Sequence, residues 1–410
     1  MALPNVTFTV GTNNLGRLEP DADNVAGLIL GFIDFAPSLP DDKITVLYSL
    51  EQAENLGLTN ANDISNEVAA WIHIADFFRE NPNGELHLLV KEATLTPDDV
   101  FKLPNALAMD LVRSANGRIK QLGVVFNNST LQSTFMAGIN SHCQLAQSVS
   151  NQCAEEYKWI DVIFIEALGF DQDVSSITNL RATDKPNVAV VVGNDSAWVG
   201  LDAAYSGTAP IGAVIGASTN KAIHESFAEG KDENTITDVS ANRFLDIVIK
   251  KTGTDIYKDN PANQTALYNA GYIFPRQFAN RSGWYWVQST NLSLPTSDLS
   301  SIELVQVINK TQRVLYNTLI TYINKNVDVN AQGRLTFLEK EGIRNDVITN
   351  LDNNLANNYS ELVSVIVDPE KDENNQPYPS IQVDNTLRVL VGIRAKGKLI
   401  YIAVNVGYTN

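Results

Sequence analysis

Polar and apolar residues alternate one by one at both ends of this chain, whereas its middle reads in blocks. Near the start, Val6, Phe8 and Val10 alternate with Thr7 and Thr9, and a loop-like stretch with Gly11, Gly16 and Pro20 follows. Near the end, Thr386–Arg394 and Leu399–Val406 flank a turn at Ala395-Lys396-Gly397-Lys398. Apolar side chains recur there at Leu387, Val389, Val391 and Ile393, then at Ile400, Ile402, Val404 and Val406. A two-residue period is that of a half-buried strand. Strands at both ends present backbone edges that pair with something. The expectation is assembly before chemistry.

Between these ends, apolar runs at Val25–Phe32, Lys43–Tyr48, Leu86–Val90, Leu122–Phe126, Val162–Ile165 and Val188–Val192 alternate with segments of helical spacing. Helices are expected over Ser49–Leu56, Asn66–Arg79, Gln132–Lys158, Val174–Leu180, Ala209–Ala217 and Ile223–Ala228, the second stopping at Asn81-Pro82-Asn83-Gly84. Apolar strands separated by helices predict an α/β fold with a central, mostly parallel sheet. The pattern changes near Tyr272. Short aromatic strands at Gly271–Phe274 and Gly283–Gln288, long helices at Ser301–Lys325 and Arg334–Asn353, and a strand at Val363–Val367 predict an α+β part. The expected units are an N-terminal strand arm (1–24), an α/β body (25–270), an α+β part (271–384) and a C-terminal hairpin arm (385–410).

Composition narrows the function classes. A chain of 410 residues is long enough for two or three compact units. Its net charge of −17 disfavours binding to nucleic acid or anionic membrane, because it repels phosphate. No apolar run is long enough to span a bilayer, and no signal peptide is expected from Met-Ala-Leu-Pro-Asn. Cys143 and Cys153 fall on one expected helix, too far apart along it for a disulfide, and read as reduced, buried thiols.

A search for chemistry assigns no catalytic, cofactor-binding or metal-binding residue. The histidines, His73, His87, His142 and His224, form no metal-ligand spacing. His142 beside Cys143 reads as a helix–core boundary, and His224-Glu225 as a packed imidazole beside an exposed carboxylate. Gly193-Asn194-Asp195-Ser196 follows a strand, where α/β enzymes carry phosphate loops, but neither glycine-rich fingerprint is present. The acidic loop at Asp368–Pro379 has Glu373 where a calcium loop needs glycine.

Several segments, in chain order, resemble the sheath proteins of contractile phage tails and related injection particles, in particular the branch long carried as a family of unknown function. They are Tyr48–Glu54, Asp76–Leu86, Pro210–Gly216 with Ala222–Glu225, Gly271–Phe274 with Gly283–Trp286, Val307–Arg313, and the final hairpin. Ser218-Thr219-Asn220-Lys221 departs from the more apolar pattern of relatives. The resemblance implies a structural protomer and no enzyme: a subtilisin-like α/β body without the catalytic triad, and terminal arms that pair with neighbouring copies. The implied partners are itself as a helical homopolymer, a tail tube protein, and baseplate and tail terminator proteins. Synthesis in the bacterial cytoplasm and assembly into a virion tail or contractile particle follow from the same resemblance.

Charge fits that picture. Residues 1–24 carry Arg17 against Glu19, Asp21 and Asp23, and residues 384–410 carry Arg388, Arg394, Lys396 and Lys398 against Asp384. An acidic and a basic arm favour heterotypic pairing over self-pairing. Lys310 and Arg313 are the candidates for a tube-facing surface. Three alternatives stay open at this point: the terminal strands pair within one subunit, the chain is a nucleotide-binding protein or enzyme using 193–196, or it is another tail component such as a tube or baseplate protein.

Overall fold

The computed structural model describes residues 23–32, 43–92, 94–199, 207–355, 360–372 and 374–395. Thirteen strands lie among them: β1 Val25–Phe32, β2 Ile44–Leu47, β3 Glu85–Glu92, β4 Gln121–Val125, β5 Val162–Glu166, β6 Val188–Val191, β7 Asn194–Asp195, β8 Ile247–Val248, β9 Tyr272–Ile273, β10 Pro275–Arg276, β11 Tyr285–Trp286, β12 Ser360–Val367 and β13 Val389–Ala395. The helices of the first half are α1 Leu50–Asn55, α2 Asn60–Asn66, α3 Trp71–Glu80, α4 Pro97–Phe101, α5 Leu107–Ser114 and α6 Ile139–Glu155. Those of the second half are α7 Ser196–Val199, α8 Ile211–Thr219, α9 Pro261–Ala270, α10 Ile302–Leu319, α11 Phe337–Asn354 and α12 Ile381–Asp384.

Seven strands form the central sheet in the order β2-β3-β1-β4-β5-β6-β9, parallel throughout except for β2 at one edge. Every residue of β1, β4, β5 and β6 is buried, as a strand covered on both faces requires. Glycine sets how closely the layers approach. A Cβ at Gly123 of β4 would lie 2.0 Å from Ile215 Cδ1 of α8, and one at Gly212 would lie 1.9 Å from the His73 carbonyl oxygen of α3. Gly212 and Gly216, one turn apart, let α3 sit directly on α8. Next to them, the polar Ser218 and Thr219 are buried without conflict, since Thr219 Oγ1 donates to the Ile215 carbonyl and accepts from Asn81.

The fold corrects several expectations. Asn66–Arg79 is not one helix: α2 ends where the expected helix begins, and α3 starts at Trp71. Glu67 turns the chain at φ 54°, and the Asp63 carboxylate accepts the Ala70, Trp71 and Ile72 amides at 3.0–3.1 Å, capping α3 from a distance. Val174–Leu180 is irregular, with a short 3₁₀ turn only at Leu180–Ala182, and Ile223–Ala228 is a pair of turns. The body also runs past residue 270. β9 is its seventh strand, and Phe274, Trp284, Trp286, Leu292 and Ile302 all belong to its core.

A second, smaller core lies beyond. Val307, Val314, Leu335, Ile343, Val347, Leu351, Leu355, Val365 and Val367 form it, with Ile223 reaching in from the body. α10 serves both cores, with Ile302 in the first and Val307 and Val314 in the second. No helix among the described residues is long and apolar enough to cross a membrane.

Candidate assembly interface

β12 and β13 form a two-stranded antiparallel sheet, Val367 facing Val389 and Ser360 facing Ala395. Val365 and Val367 point into the second core, and Leu387, Val389, Val391 and Ile393 pack against it half-buried. On the opposite face the cross-strand pair Ile366 and Leu390 is 50% and 44% exposed. Among the described residues, each strand keeps one edge that no other strand pairs. The first strand of the expected terminal hairpin therefore has a partner within its own subunit, residues 360–367. Val6, Phe8, Val10, Ile400, Ile402 and Val404 lie outside the described residues, as do Gly11, Gly16 and Gly397.

The sheet is anchored to α11 by one carboxylate. Asp368 accepts from Arg334 Nη1 at 2.9 Å and from the Leu335 amide at 3.1 Å, with Lys340 Nζ at 3.3 Å. The acidic loop that follows is a closed turn: Asp372 Oδ1 accepts the amides of Asn374 and Gln376.

In place of a basic face turned outward, Lys310 and Arg313 are buried, 5% and 6% exposed. Their side of α10 lies across the N-terminal ends of the body strands. Lys310 Nζ donates to both Asp23 carboxylate oxygens at 2.9 and 2.7 Å, just before β1. Arg313 Nη1 donates to Asp161 Oδ1 at 2.9 Å, just before β5, and its Nη2 lies 3.8 Å from Asp23. Asn309 Nδ2 donates to Asp161 Oδ1 and to the Ile160 carbonyl, each at 3.0 Å. Burial pushes the Asp161 carboxyl above its usual range against the pull of Arg313. This arrangement replaces the expected tube-facing role with an internal clamp. Sequence reasoning picked the residues but missed their partners, which are far away in the chain.

The loop at 193–196 is spent on the fold. Asp195 is fully buried, and its Oδ2 accepts from Arg243 Nη1 and the Phe244 amide, both at 2.7 Å. Its Oδ1 takes the Ala197 amide, and the Ser196 amide goes to the Asp246 carbonyl. The Asp195 and Ser196 amides, donors that a phosphate would need, are thus engaged within the fold. Arg243 also grips Asp76 at 2.7 and 3.1 Å. Against the push of burial, Arg243 and Arg79 hold the Asp76 carboxyl below its usual range. A cavity of about 600 Å³ opens beside this cluster, walled by Trp71, Ile72, Phe78 and Trp198. Burial holds the neighbouring His73 neutral, its pKa pushed down to about 4. Cys143 and Cys153 are free, buried thiols pushed up to about 12 by desolvation.

A family profile described as "DUF2586, N-terminal domain" matches residues 3–290. Among solved structures, the chain is similar to the helical sheath of the anti-feeding prophage in its contracted state, with a TM-score of 0.62 and 14% identity over 99% of both chains. It is similar to a chain of the same particle's six-fold symmetrised baseplate, TM-score 0.60 and 13% identity over 100% of this chain and 99% of that one. It is also similar to the contracted PVC sheath complex of an extracellular contractile injection system, TM-score 0.55 and 12% identity over 99% and 98%. At these identities the likeness is one of fold, and it spans both cores. No curated protein matches the sequence.

Proposed function

From the premise that this chain belongs to the DUF2586 family, we propose that it is the structural protomer of a contractile sheath, which polymerises around a tail tube and shortens to drive that tube through a target envelope. The observation that carries this reading is the fold likeness to contractile-sheath chains along the whole length, body and C-terminal unit together. A chain that merely shared an α/β body with enzymes would match over the body alone. In this reading the body is a subtilisin-like scaffold without a triad, and the loop at 193–196 is structural.

The open edges of β12 and β13 give the assembly its backbone contacts. Terminal segments of neighbouring copies, including residues 1–22 and 396–410, add strands there. Each added strand contributes a few hydrogen bonds of roughly 1 kcal/mol net, and repetition through a lattice makes the sum effectively irreversible. Head-to-tail contacts of this type build rings or helical tubes. Contraction is a rigid-body rotation of protomers while the terminal segments keep them linked. The partners are further copies of the chain, a tube protein, a baseplate and a terminator. The chain is made in the bacterial cytoplasm and works in a virion tail or contractile particle.

Negative-stain imaging of the purified full-length chain, beside a variant lacking residues 1–20, tests this. Striated hollow cylinders from the full chain, and folded monomers from the truncation, are expected. A monodisperse full-length monomer whose melting temperature rises with a nucleotide would overturn the sheath reading.

A further inference from the structure

The clamp on α10 has a position that its stability alone does not require. Asp23 is where the chain enters β1, so any pull on the residues before it passes into the body at this point. α10 is the helix that both cores share. The strand ends beneath it are laced together, the Lys120 amide donating to the Val25 carbonyl at 3.0 Å and the Asp161 amide to the Lys120 carbonyl at 2.7 Å. Lys310 and Arg313 thus join the root of the N-terminal segment, the N-terminal end of the interior strand β5 and the C-terminal unit in one charge cluster.

We infer that the Asp23–Lys310–Arg313–Asp161 cluster mechanically couples the N-terminal segment to the β12–β13 sheet, so that releasing one loosens the other. This rests on the sheath reading for its purpose, though not for its test. Two features give the coupling a physical basis. Lys310 and Arg313 lie on one helix with Val307 and Val314, which pack into the core beneath β12. Charge-assisted hydrogen bonds shielded from water are also stronger and more directional than surface pairs. A helix held at its charged face cannot shift without disturbing its apolar one. In a lattice, tension arriving through one arm would then change the set of the sheet that receives the other. Energetic coupling of this type is reciprocal.

Amide hydrogen exchange on the full-length protein tests the inference without needing assembly. Asp23→Asn and Lys310→Met are compared with Lys310→Arg, which keeps the charge. Loss of the clamp should speed exchange in Val365–Val367 and Val389–Val391 by about tenfold, the factor corresponding to about 1.4 kcal/mol, although neither residue touches those strands. Lys310→Arg should leave them protected. Faster exchange confined to residues 24–28, or to α10 itself, would overturn the coupling. So would equal loosening in Lys310→Arg. Absence of cylinders from the unmodified chain would instead overturn the sheath reading and leave the exchange result standing.

Discussion

The two cores differ in how completely they close. In the body, the side chains of the four central strands are all buried, and α3 and α8 cover the sheet with backbone nearly touching backbone. The C-terminal unit instead rests on a two-stranded sheet whose apolar side chains are buried or half-buried on one face and half-exposed on the other. Near it, Phe337 and Leu338 at the start of α11 are 79% and 82% exposed, and Val383 is 76% exposed. A two-stranded sheet is marginal by itself, and apolar surface left open on a folded unit marks a place where other chains complete it. The body behaves as a finished object. The smaller unit, among the described residues, leaves strand edges and apolar surface open.

The sharpest way to break that comparison is to place one methyl group in the body. Gly212→Ala sets a Cβ 1.9 Å from the His73 carbonyl oxygen, a backbone atom that cannot swing aside. The α3–α8 layer must part. A loss of about 4 kcal/mol or more is expected, at the upper end of single substitutions, read from the midpoint of urea denaturation. Wild-type stability in Gly212→Ala would mean that the body is looser than its packing indicates.

Proton linkage sharpens the same contrast more gently. Glu166 at the end of β5 is wholly buried, and its Oε1 accepts the Phe126 amide. Burial pushes its pKa from 4.5 up to about 8, so the folded body holds this carboxyl protonated at neutral pH. A group raised on folding stabilises fully below its unfolded value and loses that contribution as pH rises towards the folded one. Between pH 6 and 8 the body should lose about 2 kcal/mol, since each unit amounts to roughly 1.4 kcal/mol. Asp63, raised by burial to about 7, adds to the same slope. Glu166→Gln should flatten much of it in denaturation curves taken across that window; an unchanged slope would assign the effect elsewhere.

How much of this was legible follows the same division. The body strands were readable because runs such as Val188–Val191 are mostly β-branched and buried on both faces, so burial and propensity agree. Six of the twelve helices among the described residues went unread, α2, α4, α5, α7, α9 and α12, some of them with signals present. Pro97–Phe101 opens with a Thr96/Asp99 capping box, and Pro261–Ala270 has an Asn260 cap, an early proline and Gly271 at φ 95°. Leu107–Ser114 has no side-chain cap to announce it. The clamp's pairing could not be read, although Lys310 and Arg313 themselves stood out. Lys310 finds Asp23 287 positions away and Arg313 finds Asp161 152 away, and a charged pair on a helix looks the same in sequence whether it faces water or a strand end. β13 was read as a strand, but its pairing with residues 360–367 was not, because alternation fixes which face is buried and says nothing about which edge is taken.

The smallest expected effect also has the opposite sign, which makes it the most discriminating. Gly342 lies in the middle of α11, in the C-terminal unit, and a Cβ there would meet nothing within 4 Å. A glycine inside a helix costs about 1 kcal/mol relative to alanine through backbone entropy. Gly342→Ala should therefore stabilise the unit by about 1 kcal/mol, where the same glycine-to-alanine change at Gly212 strongly destabilises the body. The open space around Gly342 is space that a neighbouring copy can fill. If α11 faces another protomer in the assembled state, Gly342→Ala should raise the melting temperature of the free chain and yet reduce the fraction found in cylinders. Gains in both would place that face of α11 outside every interface, and a loss in the free chain would contradict the open packing that distinguishes this unit from the body.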